Sequence, residues 1–196
     1  MTTALQADAF DFNMRVRRLT TPAACGALFR DAIAPFGFDT FACGELDLMD
    51  RDRAAFYIIG WPEAWRRFYL ESGLIERDPV VDALQARREP FTWTDLRKDN
   101  TLARLGTEAL NRAAASGWVE GLVVPLSRGD HKVGLVSMVG HRLVVDPAEI
   151  GYLCLISVCL HGHVRTLIAR EGFAAPPGGA DLPGNGLHPV GRPRPV

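Results

Sequence analysis

The sequence predicts an α+β fold in which an antiparallel sheet carries helices on both faces. Helix-like segments come first along the chain, followed by two strands, further helices, a hairpin and a long final helix. This order lacks the strict alternation of strands and helices that builds parallel sheets, so it favours antiparallel pairing. The chain has 196 residues, of which 47% are hydrophobic and 23% charged. These values suit one soluble globular domain and exclude a disordered or disulfide-stapled chain.

The first third of the chain predicts two helices and two strands. Apolar residues at helical spacing indicate a helix over residues 7–19, with arginines late in the run. Thr21 is the expected N-cap of the second helix, which begins at Pro22. Residues 40–48 and 54–59 are rich in aromatic and branched side chains, as in strands, and a polar turn joins them.

The middle and last thirds contain prolines at helix starts and one hairpin. Pro62 and Pro79 each occupy the first position of a predicted helix. Residues 89–98 form a loop or a short strand. The remaining elements are a helix over 101–116, hairpin strands at 118–126 and 133–140, and a final helix over 146–170. About five strands therefore make up the central sheet.

Proline and glycine concentrate at the C-terminal end. Six of the 13 prolines and six of the 19 glycines lie in the last 25 residues. Residues 1–172 are therefore expected to form one sensory domain, and residues 173–196 a disordered tail. A segment of this composition cannot form a recognition helix, so we expect no helix-turn-helix domain and no direct DNA binding by this chain.

Charge and motif content exclude several function classes. The 22 basic and 23 acidic residues give a net charge of -1, without the basic excess typical of nucleic-acid binding. The sequence contains no GxSxG, no HExxH, no phosphate-binding glycine loop and no dinucleotide fingerprint. His161 and His163 are two residues apart on a predicted helix, so they cannot share a metal ion. We expect no catalytic residues, no metal site and no cofactor.

Cellular location follows from the cysteines and from the apolar runs. The four cysteines show no CxxC pair and lie among apolar residues, as expected for free thiols in a reducing compartment. The N-terminus lacks the apolar segment of a signal peptide, and the longest apolar run, residues 152–160, is too short to span a membrane. We therefore expect a soluble, cytoplasmic protein.

Five residues in the middle of the chain suggest a binding site. Trp65 and Tyr69 are four residues apart on one predicted helix and share a face. Trp61 lies four residues earlier, Asp78 directly precedes the next helix, and Trp93 follows in the loop. Trp and Tyr combine an apolar body with a polar tip, which a bound ligand can satisfy. Taken singly, the aromatic pair also fits core packing, and Asp78 also fits a helix cap.

Taken together, these residues follow a specific motif order. The pattern W-x3-Y-x8-D-P is followed by a tryptophan fourteen residues after that proline and then by G-x3-P. In this respect the chain resembles the autoinducer-binding domain of LuxR-type quorum-sensing regulators. The resemblance covers about residues 10–170 and rests on the segments WPEAWRRFY, ERDPVV, FTW, SGWVEGLVVPL and VGLVSMVG. It implies an α-β-α sandwich that binds an N-acyl-homoserine lactone.

The resemblance also implies roles for the polar residues. Trp65 would donate its indole N–H to the lactone carbonyl, and Tyr69 would donate its hydroxyl to the acyl amide carbonyl. Asp78 would accept the ligand's amide N–H, while Trp93 would pack against the lactone ring. Ser137, in the second hairpin strand, would lie near the amide carbonyl.

Further positions are implied along the acyl chain. Trp61 would line the acyl side, and Gly121 would keep the cavity wall close or preserve the local backbone. Val80 stands where some members have a hydroxyl residue, so one polar contact is expected to be missing. Candidates for contact with the acyl tail, each at least as well suited to ordinary core packing, are Phe41, Ala42, Phe56, Ile58, Val123 and Val136.

Two alternatives remain open at this point. The domain is expected to form a homodimer, or a heterodimer with a full-length LuxR-type regulator, through its first or last helix. Such a heterodimer would be unable to bind an operator with two half-sites. The same fold could instead sense another small apolar ligand, including one with an aromatic acyl group.

Overall fold

The computed structural model describes residues 3–50, 54–99, 103–129, 131–141, 145–170 and 180–181. Within these residues, one sheet separates two layers of helices. The helices are α1 (Thr3–Val16), α2 (Pro22–Ile33), α3 (Glu63–Glu71), α4 (Pro79–Ala86), α5 (Trp93–Lys98), α6 (Ala103–Ala115) and α7 (Pro147–Arg170). The strands are β1 (Phe38–Asp47), β2 (Ala55–Ile59), β3 (Phe91–Thr92), β4 (Glu120–Arg128), β5 (Lys132–Gly140) and β6 (Ala180–Asp181).

The sheet has the strand order β3-β4-β5-β1-β2-β6. Strands β1 to β5 pair antiparallel, with β4 and β5 as the hairpin and β1 between β5 and β2. In this register Ser137 lies opposite Ala42 on one side and Val123 on the other. The predicted antiparallel sheet of about five strands, flanked by helices, is confirmed.

Each face of the sheet has its own hydrophobic core. Successive residues of a strand point to opposite faces, and β1 shows this directly. Phe41 and Cys43 pack in the core that α1, α2 and α7 cover, whereas Ala42 and Leu46 pack in the core that α3, α4, α5 and α6 cover. The two-core arrangement is the α-β-α sandwich that the sequence implied.

Local capping signals predicted the helix starts correctly. The Thr21 hydroxyl accepts a hydrogen bond from the Ala24 N–H at 3.2 Å, which caps α2. Asp78 Oδ1 accepts from the Val80 N–H at 2.8 Å, so the helix-cap interpretation of this residue is correct for α4. In both helices proline follows the cap, where its missing N–H costs no hydrogen bond.

The loop or short strand predicted over residues 89–98 differs from the structure. Only Phe91–Thr92 is strand, and α5 follows at once. A reciprocal capping box starts α5: the Thr92 N–H donates to Asp95 Oδ2 at 2.9 Å, and the Asp95 N–H donates to the Thr92 hydroxyl at 3.1 Å. The signal was present as Thr-x-x-Asp, a variant of the usual Ser/Thr-x-x-Glu pattern.

Helix α7 has 24 residues and a mean hydropathy of 1.4 in its most apolar window, so by length and composition it could cross a membrane. It lies against the sheet, with eight residues buried in the domain core. Ala180–Asp181 pairs parallel with Ile58 and Ile59, although the sequence placed it in a disordered tail. The rest of residues 173–196 lies outside the described part.

Candidate functional site

A cavity lies in the core between the sheet and helices α3 to α6. Its volume is about 60 Å³. The sheet contributes six lining residues: Ala42, Leu46, Phe56, Leu135, Ser137 and Val139. Apolar walls with a few polar groups are typical of small-molecule sites.

The polar part of the cavity centres on Tyr69 and Asp78. The Tyr69 hydroxyl donates to Asp78 Oδ2 at 2.7 Å, while Oδ1 caps α4. Between α3 and Asp78 the chain reverses at Gly73, whose φ of 63° lies in the left-handed region that favours glycine. Because one carboxylate both caps a helix and accepts from the tyrosine, its orientation towards the cavity is well defined.

Aromatic rings form a large part of the cavity wall. Trp61 packs edge-on against Tyr69 with ring centroids 5.2 Å apart, and Trp65 packs edge-on against Trp118 at 5.3 Å. Together with Trp93, these are all four tryptophans of the chain, and each lines the cavity. Trp118 belongs to one of the motif segments but had no predicted role; it was expected to begin a hairpin strand, whereas it lies two residues before β4 and lines the cavity.

Trp93 and Gly121 meet where α5 crosses β4. A Cβ atom on Gly121 would lie 2.5 Å from both Cε2 and Nε1 of Trp93, too close for any real side chain. Gly121 therefore lets the indole pack directly on the strand backbone, which accords with the expected close wall. Trp93 is 6% exposed, and its Nε1 has no hydrogen-bond partner among the described residues.

The predicted tail contacts divide between the two faces of the sheet. Ala42 and Phe56 line the cavity, and Val123 packs in the same core without lining it. The prediction is wrong for the other three residues, which lie in the opposite core: Phe41, Ile58 and Val136. Phe41 and Ala42 are adjacent in one strand, so the alternation of side chains prevents both from facing one cavity.

Helices α4 and α6 supply further lining residues, of which only Val80 was named from the sequence. Val80 and Val81 come from α4, and Ala109, Leu110 and Ala113 come from α6. Val80 is thus part of the wall, and its N–H donates to Asp78. Its side chain is apolar at a position where some family members are expected to have a hydroxyl. The spacing of Ala109 and Ala113 places both on one face of α6, but spacing alone did not show which face meets the cavity.

Titratable side chains elsewhere in the described residues offer no reactive centre. Burial raises the pKa of the Cys25 thiol to about 11, and it does the same for Cys154. The pKa of Cys43 is also raised, chiefly by burial. Protonated thiols of this kind are unreactive at neutral pH. No group of three or more His, Cys, Asp or Glu side chains in the described part is placed to hold a metal ion.

The fold and this mostly apolar cavity define a small-molecule-binding sensor domain. A sequence profile described as the autoinducer binding domain matches residues 21–164. The chain therefore belongs to the autoinducer-binding domain family of LuxR-type quorum-sensing regulators. This is a family of transcriptional regulators and not of enzymes.

Known proteins support this assignment. The quorum sensing-dependent transcriptional regulator RpaR of Rhodopseudomonas palustris is 29% identical over 160 residues, which are 81% of this chain and 65% of RpaR. The transcriptional activator LuxR of Aliivibrio fischeri is 31% identical over 80 residues, 41% of this chain and 32% of LuxR. This chain thus spans less than two thirds of the length of these relatives.

Solved structures share the fold. SdiA in complex with octanoyl-rac-glycerol superposes with a TM-score of 0.68 at 18% identity, over 89% of this chain and 70% of that one. CepR2 from Burkholderia cenocepacia, titled an N-acylhomoserine lactone dependent factor, superposes with a TM-score of 0.61 at 21% identity, over 86% of this chain and 97% of that one. At these identities the likeness concerns the fold.

Proposed function

We propose that the domain binds an N-acyl-homoserine lactone in the cavity. The observation that carries this proposal is the Tyr69–Asp78 pair within an otherwise apolar, aromatic-walled cavity. In the proposed complex Trp65 donates to the lactone carbonyl and Tyr69 donates to the amide carbonyl. Asp78 accepts the amide N–H, and Trp93 packs against the lactone ring.

Binding exchanges one hydrogen bond for two. The Tyr69 hydroxyl now donates to Asp78, and in the complex it turns to the ligand's amide carbonyl. The ligand's amide N–H replaces it as donor to the carboxylate, a charge-assisted bond worth about 1.5–3 kcal/mol. Each neutral bond adds about 1 kcal/mol, and each buried methylene of the tail adds about 0.8 kcal/mol. The head therefore determines specificity, and the tail provides much of the affinity.

The cavity must widen to admit an acyl tail, because its volume of about 60 Å³ is well below the roughly 300–1,000 Å³ of small-molecule pockets. Helix α6 contributes one wall and packs mainly on α4, α5 and the turn at Leu74–Arg77, which are themselves on the cavity side. Outward movement of this layer separates apolar surfaces unless the ligand fills the gap. We therefore expect the free domain to be less stable than the complex and poorly soluble.

A thermal-shift panel tests the proposal. The purified domain is melted with butanoyl-, hexanoyl-, octanoyl- and decanoyl-homoserine lactone, each at a concentration well above its expected Kd. A ligand at about 100 times its Kd adds about 2.7 kcal/mol, which raises the Tm of a domain of this size by about 5–11 °C. Asp78→Asn keeps a cap oxygen but loses the charge, so it should reduce the shift. A panel that leaves the Tm unchanged would refute the proposal.

A different acylated ligand is the second candidate. The solved SdiA complex contains octanoyl-rac-glycerol, so this fold accommodates an acyl chain without a lactone in that protein. Octanoyl-rac-glycerol therefore belongs in the same panel. Mass spectrometry of small molecules extracted from the recombinant protein distinguishes an N-acyl-homoserine lactone from an acylglycerol. Of these two, only the N-acyl-homoserine lactone contains the amide nitrogen that Asp78 would recognise.

We also propose that the domain dimerises through α1 and α7, either with itself or with a full-length regulator of its family. These helices pack against each other and leave large apolar side chains exposed: Phe10 at 68%, Met14 at 43%, Leu155 at 45% and Val158 at 57%. Large exposed apolar side chains on two helices that pack together are typical of interaction sites. Light scattering should show a dimer that Val158→Glu converts to a monomer; a wild-type monomer at high concentration would contradict this. Such a regulator acts inside the cell, and we propose a cytoplasmic location.

A further inference from the structure

Glu120 is a buried acidic residue next to the cavity, and it has no part in the proposed lactone contacts. It is the first residue of β4 and is 2% exposed. Its Oε1 accepts hydrogen bonds from the Thr94 N–H at 3.1 Å and from the Gly121 N–H at 2.9 Å. Its Oε2 accepts from the Thr94 hydroxyl at 2.5 Å. A carboxylate so deeply buried is stable only when such donors compensate for lost hydration.

These bonds join the first turn of α5 to the start of β4. The capping box of α5 uses Thr92 and Asp95, which leaves the Thr94 N–H as a further donor without a partner inside the helix. Glu120, which is 26 residues away in sequence, accepts the hydrogen bond from this N–H. The short helix is therefore held at its N-terminal end by one local acid and by one acid from the sheet.

Trp93 lies between the groups that these hydrogen bonds hold in place. It is bounded in sequence by Thr92 and Thr94, and its indole packs over Gly121, whose own N–H is bonded to Glu120. The same carboxylate thus fixes the backbone on both sides of the contact between the indole and the strand. Glu120 is absent from the cavity lining, so any effect on a ligand must pass through the neighbouring residues.

We propose that Glu120 is a positioning residue that orients Trp93 for ligand binding. This inference rests on the proposed function, in which Trp93 packs against the lactone ring. Glu120→Ala removes all three acceptor contacts and leaves the two N–H groups buried without partners. Glu120→Gln is the conservative variant: its amide oxygen can keep both N–H bonds, and its amide N–H can donate to the Thr94 hydroxyl.

The first measurement needs no ligand. The four tryptophans give four indole cross-peaks in a 1H–15N spectrum, and Trp93→Phe identifies the one that belongs to Trp93. Glu120→Ala should shift this peak more than the other three, and Glu120→Gln should restore it. Thr94→Val removes only the hydroxyl bond and should give a smaller shift, which keeps the test usable if Glu120→Ala does not fold.

A matched control separates positioning from general loss of stability. Thr21→Ala removes the N-cap of α2 on the opposite face of the sheet, so it should lower the Tm without shifting the Trp93 peak. If Glu120→Ala and Thr94→Val leave the Trp93 peak at its wild-type position, the proposal is overturned.

The second measurement is a double-mutant cycle with the lactone that stabilises the wild type most. Glu120→Ala alone should weaken binding about tenfold, a change of about 1.4 kcal/mol. In a Trp93→Ala background it should cause almost no further loss, because the residue through which it acts is gone. Additive losses would overturn the proposal. If the wild type binds no lactone, the proposed function fails, and the Trp93 peak alone decides whether Glu120 orients the indole.

Discussion

Replacement of Gly121 by alanine tests the packing of the cavity wall most directly. The new Cβ would lie 2.5 Å from two atoms of the Trp93 indole, whereas ordinary van der Waals contact begins at 3.4 Å. The ring or the strand must therefore move by about 0.9 Å, the difference between these two distances. The clash is with the rigid bicyclic part of a buried ring, so a change of rotamer at a flexible chain end cannot relieve it.

The cost follows from this displacement. Forcing an extra methyl group into a well-packed core costs about 1–3 kcal/mol. For a domain of this size each 1 kcal/mol lowers the Tm by about 2–4 °C, so a decrease of about 2–12 °C is expected. Since the displaced indole also forms the proposed lactone contact, we expect lactone affinity to fall by about tenfold.

Urea unfolding with and without lactone measures both effects. Gly162 supplies the matched control, because a Cβ there meets nothing within 4 Å and the residue lies inside helix α7. Gly162→Ala should therefore raise stability, by about 0.5–1 kcal/mol. Trp93→Phe in the Gly121→Ala background should recover part of the loss. A Gly121→Ala variant as stable as the wild type would refute this account of the wall.

Three further outcomes are expected. Asp78→Ala should weaken lactone binding by about 10- to 150-fold, the equivalent of 1.5–3 kcal/mol, and Ser137→Ala should weaken it less; the opposite order in calorimetric titrations would contradict the assigned roles. Leu135→Ala should change the Kd of the lactone because Leu135 lines the cavity, whereas Val136→Ala should lower only the free energy of unfolding because Val136 lies in the opposite core. Burial lowers the pKa of His161 from its ordinary value of 6.5, so the unfolded chain binds a proton more readily than the folded one. Stability should therefore fall as the pH drops below about 6.5, and His161→Asn should reduce that slope in urea titrations; an unchanged slope would show that other groups cause it.

The parts of the fold that the sequence predicted are those controlled by neighbours in the chain. Thr21 and Asp78 cap the helices that follow them, and both caps are recognisable from one residue and the proline after it. Outside residues 89–98, the order of the main helices and strands was predicted correctly for the same reason. Helix α5 was missed because Thr92 and Asp95 form a capping box with aspartate in place of glutamate, over a segment of only six residues.

The sequence predicted several residues that line the cavity, but not all of the cavity's geometry. The resemblance to LuxR-type domains brought together Trp61, Trp65, Tyr69, Asp78 and Trp93, and all five line one cavity. The chemical roles proposed for them await the ligand experiments. The sequence did not distinguish which strand residues face that cavity, because a continuous apolar run has no polar side to mark the direction of alternation.

By itself, the sequence determined most of the secondary-structure order, the family and the polar residues that the cavity contains, since these depend on local periodicity and on motif spacing. Only the tertiary structure decided that Phe41, Ile58 and Val136 pack on the far face, since strand register and twist assign each side chain to one core. It also decided that Glu120 reaches Thr94 across 26 positions in sequence. Contacts between residues so distant in sequence depend on how α5 docks on β4, and no local pattern encodes that docking.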